Sequence, residues 1–327
     1  MTGFIFRRLV QSVFVMLAVA LIAFAVIRFV GDPLESLTSQ ETRLDEREKL
    51  KEQLGLNQAV PLQFFSFLKR GIQGDFGLSY RQQEPVSRMI AERLPATLEL
   101  ALASATIALV IGGILGVYCA LRPNGFVTNL LMTISLVGVS LPTFLLGIGL
   151  IFVFSVELGW LPSFGRGETV KIGWWTTGLL TISGWRSIIL PAITLSLFQM
   201  TLLMRLVRAE MLEVLRQDYI RFARARGLSS RTIHFGHALK NTLVPVITVA
   251  GLQLGSVIAF AVVTETVFQW PGVGSLFIRS VQAVDVPLMA AYLVFIALVF
   301  VMINLIVDVL YYVLDPRIRI DALKTGI

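Results

Sequence analysis

Six runs of predominantly apolar residues, at 9–30, 97–121, 127–156, 188–206, 243–263 and 288–314, constrain this chain more than any other feature. Each is close to, or exceeds, the roughly 20 residues that a helix needs to cross the hydrocarbon core of a bilayer. No water is available there to bond backbone N–H and C=O groups, so the runs are expected as helices. The third and the last are long enough to tilt or to project beyond the membrane. With 55% hydrophobic and only 15% charged residues, the 327-residue chain is too apolar for an ordinary soluble two-domain protein. The expected fold class is therefore an all-α polytopic membrane protein with six transmembrane helices.

Arg7 and Arg8 before the first run, and Ala23-Phe24-Ala25 near its end, also permit a cleavable signal peptide. No soluble mature domain follows, so a retained first span is expected. A formal charge of +7 raises the question of nucleic acid, but the basic residues lie between apolar runs. No basic-aromatic groove or DNA-binding motif accompanies them, and no nucleic-acid partner is expected. The single cysteine, Cys119, lies inside a span and reads as a small core residue rather than part of a disulfide or metal framework.

Orientation follows from lysine and arginine in short loops. An even number of spans puts both termini on one side. With the termini inside, the inner segments carry 14 basic residues, including Arg7, Arg8, Arg122, Arg317, Arg319 and Lys324. The short outer loops carry only Arg166, Lys171, Arg186 and Arg279. The outer segment 31–95 holds nine more, but it exceeds the length over which the rule applies and its acids balance them. The termini are expected to be cytoplasmic. This divides the chain into 1–30 (N-terminal cytoplasmic end and first span), 31–95 (a small extracytoplasmic helical subdomain), 96–314 (a core of five spans that includes a cytoplasmic loop at 211–241) and 315–327 (a cytoplasmic tail). Within 31–95, 41–52 is almost wholly polar and 61–72 carries apolar residues at helical spacing.

The segment 205–241, between the fourth and fifth spans, holds eight basic residues against three acidic ones. Residues 211–226 contain no Gly or Pro and suit a helix. Gly227 supplies the positive φ that ends it, and Ser229 or Ser230 can cap the next helix. Ala223 and Ala225 would keep this corner slim while Arg221, Arg224 and Arg226 ring it with charge. Such a corner suits insertion into a groove on a partner; membrane topology alone also makes cytoplasmic loops basic.

The pattern Asp218-Tyr219-x-x-x-Ala223-Arg224-Ala225-x-Gly227-Leu228, followed by His237-Ala238-Leu239-x-Asn241 and Pro245, resembles the coupling loop of ATP-binding-cassette (ABC) importer permeases. More narrowly it is similar to the dipeptide and oligopeptide branch, with Arg221-Phe222-Ala223 in place of the Glu-Ala-Ala triplet that names the motif. Gly31-Asp32-Pro33, Leu54-Gly55-Leu56, Gly74-Asp75-Phe76-Gly77-Leu78-Ser79 and Arg93-Leu94-Pro95-Ala96-Thr97 extend the resemblance in order and spacing. Taken bare, each is turn and cap chemistry, with Pro95 where a span can begin. The resemblance implies a type I importer permease fold in a bacterial inner membrane. It also implies ATPase coupling through Arg221, Phe222, Ala223, Arg224, Ala225, Arg226, Gly227, Leu228 and Ser229.

No phosphate-cradling Gly-x-x-x-x-Gly-Lys loop is present, so the chain is read as a transport subunit and not an enzyme, with no catalytic residues and no bound cofactor. ATP and Mg are expected on partner subunits. His234 and His237 lie three apart but have no third ligand nearby, so no metal site is expected. Pro142, in Ser140-Leu141-Pro142-Thr143, should kink the third span; the kink either lines the pathway or packs against a neighbouring helix. Apart from Asp308 and the boundary residues Arg28 and Glu265, the spans are nearly uncharged. Asp308, one turn beyond Asn304 and close to Tyr311 and Tyr312, reads as a structural bond to a helix or to the coupling segment, or else as a proton relay. Glu265 reads as a brace of an outer gate or loop, or as a contact with substrate or a docked binding protein.

The resemblance implies a second, related permease chain, two ABC ATPases and an extracytoplasmic solute-binding protein as partners, besides membrane lipid. Peptides are the implied substrate; opines, glutathione, nickel complexes and oligosaccharides are carried within the same branch. A secondary transporter would need intramembrane carboxylates or broken helices in corresponding halves. A membrane scaffold would need no coupling loop.

Overall fold

The computed structural model describes residues 2–29 and 57–314. The landmarks Gly31-Asp32-Pro33 and Leu54-Gly55-Leu56, the polar stretch 41–52, the tail 315–327 and the side chains of Tyr311 and Tyr312 lie outside the described residues. Among the described residues ten α-helices run α1 Thr2–Phe29, α2 Val60–Ile72, α3 Val86–Leu121, α4 Phe126–Ser140, α5 Thr143–Ile151, α6 Ile182–Val214, α7 Asp218–Ala225, α8 Leu239–Val267, α9 Val273–Gln282 and α10 Val286–Leu314. Among the described residues five long apolar helices are able to cross a membrane: α1, α3, α6, α8 with the turn before it, and α10.

The expected third span is present in pieces. Leu141 and Pro142 separate α4 from α5, which continues as a π-helical turn at Phe152–Glu157. Proline lacks an N–H and crowds the preceding turn, so the helix ends and restarts with Pro142 as its N-cap. Pro95, expected at the start of a span, instead lies inside α3, and Pro191 and Pro245 likewise lie inside α6 and α8. A two-stranded antiparallel hairpin, β1 Val170–Ile172 and β2 Trp175–Thr177, is the one strand pair among the described residues and was not expected.

The organising contact is between α3 and α6. Ala96, Leu100, Ser104, Ala108, Gly112, Gly116 and Ala120 recur at every fourth residue of α3, and all are buried. Successive members lie about one turn apart, so the row forms a ridge that winds slowly around α3. The small side chains let the backbones approach, which is how helices associate in lipid, where apolar surface gains little from burial. A side chain on Gly112 would meet the carbonyl of Met200, and one on Gly116 the carbonyl of Met204 and Val207. α8 runs antiparallel to this pair, completing one core layer around Leu100, Leu195 and Ile258 and another around Ala108, Leu203 and Val246.

α1 and α2 are added at the edge, where Ala20, Ala23, Phe24 and Phe67 pack on Ala290 of α10. The loop before α3 is clipped to the start of α10: the Ser79 hydroxyl donates to the buried Asp285 carboxylate, which also accepts the Tyr80 N–H at 3.1 Å. The helix directions bring the start of α1, the end of α10 and the α6–α8 connection to one end of the bundle.

Gly116→Val is expected to destabilise the protein by about 1–3 kcal/mol through overpacking against α6. Gly113 has open space around it, and Gly113→Ala should leave the melting temperature unchanged or slightly raised. Thermal unfolding of both variants in detergent checks this; equal effects would remove the close approach as the organising contact.

Candidate functional site

The basic corner is built on a short amphipathic helix. The helix expected over 211–226 is interrupted: α6 ends at Val214, Leu215 and Arg216 form a turn, and Gln217 is extended ahead of α7. This fold-back lets Ile220 and Ala223 bury against Ala120, Met211, Ile233 and Ala238. Of the two alanines expected to slim the corner, Ala225 is exposed and Ala223 faces inward.

Gly227, at φ +77°, ends α7, with its N–H bonded to the Arg224 carbonyl at 2.9 Å and the Leu228 N–H to the Ala223 carbonyl at 3.2 Å. A left-handed residue closed by this pair of bonds satisfies the last helical carbonyls. Ser229 caps the helix that follows, its Oγ accepting the Thr232 N–H at 3.2 Å. The Asn241 amide donates to the Tyr219 hydroxyl at 2.8 Å and to the His237 carbonyl at 3.1 Å, tying α7 to the start of α8.

Arg221, Phe222, Arg224, Ala225, Arg226, Gly227, Leu228 and Ser229 are left facing outward on this fixed base. Phe222 is 64% exposed, with the Arg226 guanidinium 5.7 Å from its ring centre. An aromatic with adjacent arginines outside the spans has the composition of a protein-binding anchor.

Glu265 lies at the opposite end of α8 and is fully buried. Its carboxylate accepts the Thr97 hydroxyl at 2.6 Å and the Ser275 N–H at 2.8 Å. Thr97 Oγ1 in turn accepts the Val273 N–H at 2.9 Å. A side chain on Gly272 would collide with this carboxylate, so the close backbone approach requires glycine. The Trp270 indole donates to the Ala96 carbonyl at 2.9 Å. Glu265 thus joins the loop before α9 to α3 and is shielded from solvent within this chain.

A second charged site escaped the sequence reading. Glu99, inside a span read as nearly uncharged, pairs at 2.6 Å with Arg166, which had been counted as a loop charge. Both side chains are buried. Glu99 also accepts the Trp175 indole N–H at 3.2 Å, and Arg166 donates to the Thr176 carbonyl at 2.6 Å. The pair fastens β2 to α3, while Trp160, Trp174 and Trp185 around it remain exposed. Within the sequence, a lone arginine beside Gly165 and Gly167 was the only sign.

At the corner end, Asp308 of α10 pairs with Arg8 of α1 at 2.9 Å. Asn304, one turn away, lines the same groove between these helices. Leu141 and Pro142 are exposed on the surface of the bundle.

Arg166→Met should cost about 3–5 kcal/mol, because it leaves the Glu99 carboxylate buried without its counter-charge. Adding Glu99→Gln in that background should recover most of the loss. Chemical or thermal unfolding distinguishes the two; a double variant as unstable as the single would mean that packing, and not the unpaired charge, dominates.

Comparison with known proteins places these features in one family. Residues 112–320 match the binding-protein-dependent transport system inner membrane component, and residues 1–101 match the N-terminal part of such membrane components. The dipeptide transport system permease protein DppB of Alkalihalophilus pseudofirmus is 38% identical, over 98% of this chain and 100% of its own length. A putative peptide transport system permease protein of Brucella abortus is 40% identical over 98% and 100%. The glutathione transport system permease protein GsiC of Escherichia coli K12 is 37% identical over 98% and 99%. Among solved structures, a chain of the MetNI methionine ABC transporter superposes with a TM-score of 0.52 at 19% identity, covering 67% of this chain and 93% of that one, which shows the shared fold. Five long apolar helices, a sixth span broken at Pro142 and a capped basic corner are thus found in a chain that belongs to the binding-protein-dependent transport system inner membrane component family.

Proposed function

We propose that this permease forms one half of the membrane pathway of an ATP-driven importer of di- and oligopeptides, and that Arg221 to Ser229 dock one ATPase. The observation that carries the docking role is the corner itself: Phe222 and three arginines project from a helix whose other face is locked into the bundle. One such corner engages one ATPase. A second, related permease chain and a second ATPase therefore complete the assembly, with ATP and Mg held by the ATPases.

The excess of basic residues in the corner segment supports a cytoplasmic position for it, with both termini on that side. The opposite end, with α2 and the hairpin, then faces out and receives a solute-binding protein. Closure of the ATPases on ATP would draw the two corners together and favour an outward-facing arrangement; hydrolysis would release it. The ATPases act through their different affinity for the two arrangements, which is a population shift. The rigid seat of α7 on Ala120 and Met211 supports transmission of that movement to α3 and α6.

The break at Leu141 and Pro142 supports a pathway role for this face. Helix ends leave backbone groups without intrahelical partners, and lipid cannot bond them. A break exposed on the bundle therefore suits a water-filled pathway or the facing permease chain. Glu265 and the Glu99–Arg166 pair act as braces of the outer loops, and Asp308 and Asn304 as structural polar groups. The peptide and dipeptide relatives support the substrate class, and the 37% identical glutathione permease supports a glutathione-like tripeptide as the second reading.

ATP hydrolysis by the assembly, isolated through a tag on this chain and reconstituted with its binding protein, should rise with a pool of di- to pentapeptides. Gly227→Val and Ala225→Glu should each abolish ATPase co-purification while the chain stays folded; retained ATPase would remove the corner as the dock. Hydrolysis that ignores peptide and responds to glutathione would select the second reading. Pro142→Ala restores a helical N–H and should lower transport in proteoliposomes well before it affects assembly. Unchanged transport would make the break a packing feature.

A further inference from the structure

A groove of about 450 Å³ lies between α1 and α10 on the corner half of the bundle. Toward the other end these helices meet closely through Ala20, Ala23 and Ala290. Both are long and apolar enough to cross a membrane, so the groove lies alongside a membrane-spanning pair. Its lining is sorted along the helix axes. Arg8, Gln11, Ser12, Asn304 and Asp308 gather at the corner end with one apolar residue, Leu305, among them, and Phe14, Val15, Phe300 and Val301 lie deeper. Polar groups facing hydrocarbon are costly. Arg8 and Asp308 neutralise each other at 2.9 Å, yet their side chains remain 45% and 15% exposed.

We propose that this groove binds a zwitterionic phospholipid whose headgroup carries a phosphate and a primary ammonium, namely phosphatidylethanolamine. Arg8 faces the phosphate, Asp308 accepts from the ammonium, and an acyl chain follows Phe14, Val15 and Phe300. The charge pattern selects the headgroup. A purely anionic headgroup would meet the Asp308 carboxylate, whereas a headgroup of both signs meets a partner for each. A quaternary choline has no N–H to donate to Asp308. Gln11, Ser12 and Asn304 add uncharged donors for the phosphate and ester oxygens. The order of polar then apolar lining matches the order of headgroup then chain in a leaflet, which favours a lipid over a soluble phosphate compound. The inference rests on the chain crossing the membrane and is independent of the transported substrate.

The test uses the whole complex, reconstituted in discs with equal parts phosphatidylethanolamine, phosphatidylglycerol and phosphatidylcholine, then washed in mild detergent. Native mass spectrometry counts the lipids retained. Phosphatidylethanolamine should be retained above the other two, and Asp308→Ala should lose one such lipid per copy of this chain. Ser12→Phe fills the headgroup end without touching the ion pair, and it should lose the same lipid from a complex that is otherwise intact. It decides the matter if the Asp308 variant does not assemble. Equal retention of the three headgroups, preference for phosphatidylglycerol, no retained lipid, or retention unaffected by Ser12→Phe would each overturn the proposal.

Discussion

The close approach of α3 and α6 is the contact on which the rest of the bundle depends. In water, two apolar helix faces associate because association removes them from solvent; in lipid that gain is largely absent, and backbone proximity takes its place. The four-residue repeat from Ala96 to Ala120 supplies that proximity along most of α3. Because the two helices run in the same direction, one contact surface reaches from the Glu99 and Glu265 sites to the seat of the basic corner. α8 then closes the core, and α1, α2 and α10 are added around it.

The two ends of this frame are fastened by different chemistry. At the corner end, an apolar cluster holds α7 with the Asn241–Tyr219 hydrogen bond beside it, and the arginines are turned outward, as suits a surface that must meet and leave a partner. At the other end, buried charge and hydrogen bonds hold the loops: Glu99 with Arg166, Glu265 with Thr97 and Ser275, and Asp285 with Ser79. A buried ion pair is costly to form and costly to break on one side only. Its benefit here is a defined position for a hairpin whose large apolar side chains Val170, Ile172 and Trp174 stay exposed.

The sequence made the spans, a disturbance of the helix at Pro142 and the turn at Gly227 legible, because each depends on local composition or on a backbone preference of one residue. Ser229 as a cap was legible for the same reason. The Leu215–Gln217 interruption was not: Met211 to Arg226 has uniformly acceptable helix formers, and the fold-back is driven by burial of Ile220 and Ala223 against residues of α3 and α6. Glu99 and Arg166 are 67 residues apart, and Arg8 and Asp308 come from opposite ends of the chain, so neither pair leaves a pattern in one window. Pro95 misled because a proline is a plausible start for a helix, yet a helix packed on α6 and α8 carries one in its interior.

The five tryptophans, Trp160, Trp174, Trp175, Trp185 and Trp270, all lie at the end of the bundle away from the corner, in the hairpin, in loops and in the first turn of α6. The native fluorescence of this chain is therefore an optical signal from one end only. Its environment there is mixed, from the sealed indole of Trp270 to the exposed ring of Trp174, so rearrangement of the loops would change both intensity and wavelength. The corner end emits nothing in that window, and a single tryptophan substituted for Phe222 would give it a voice of its own.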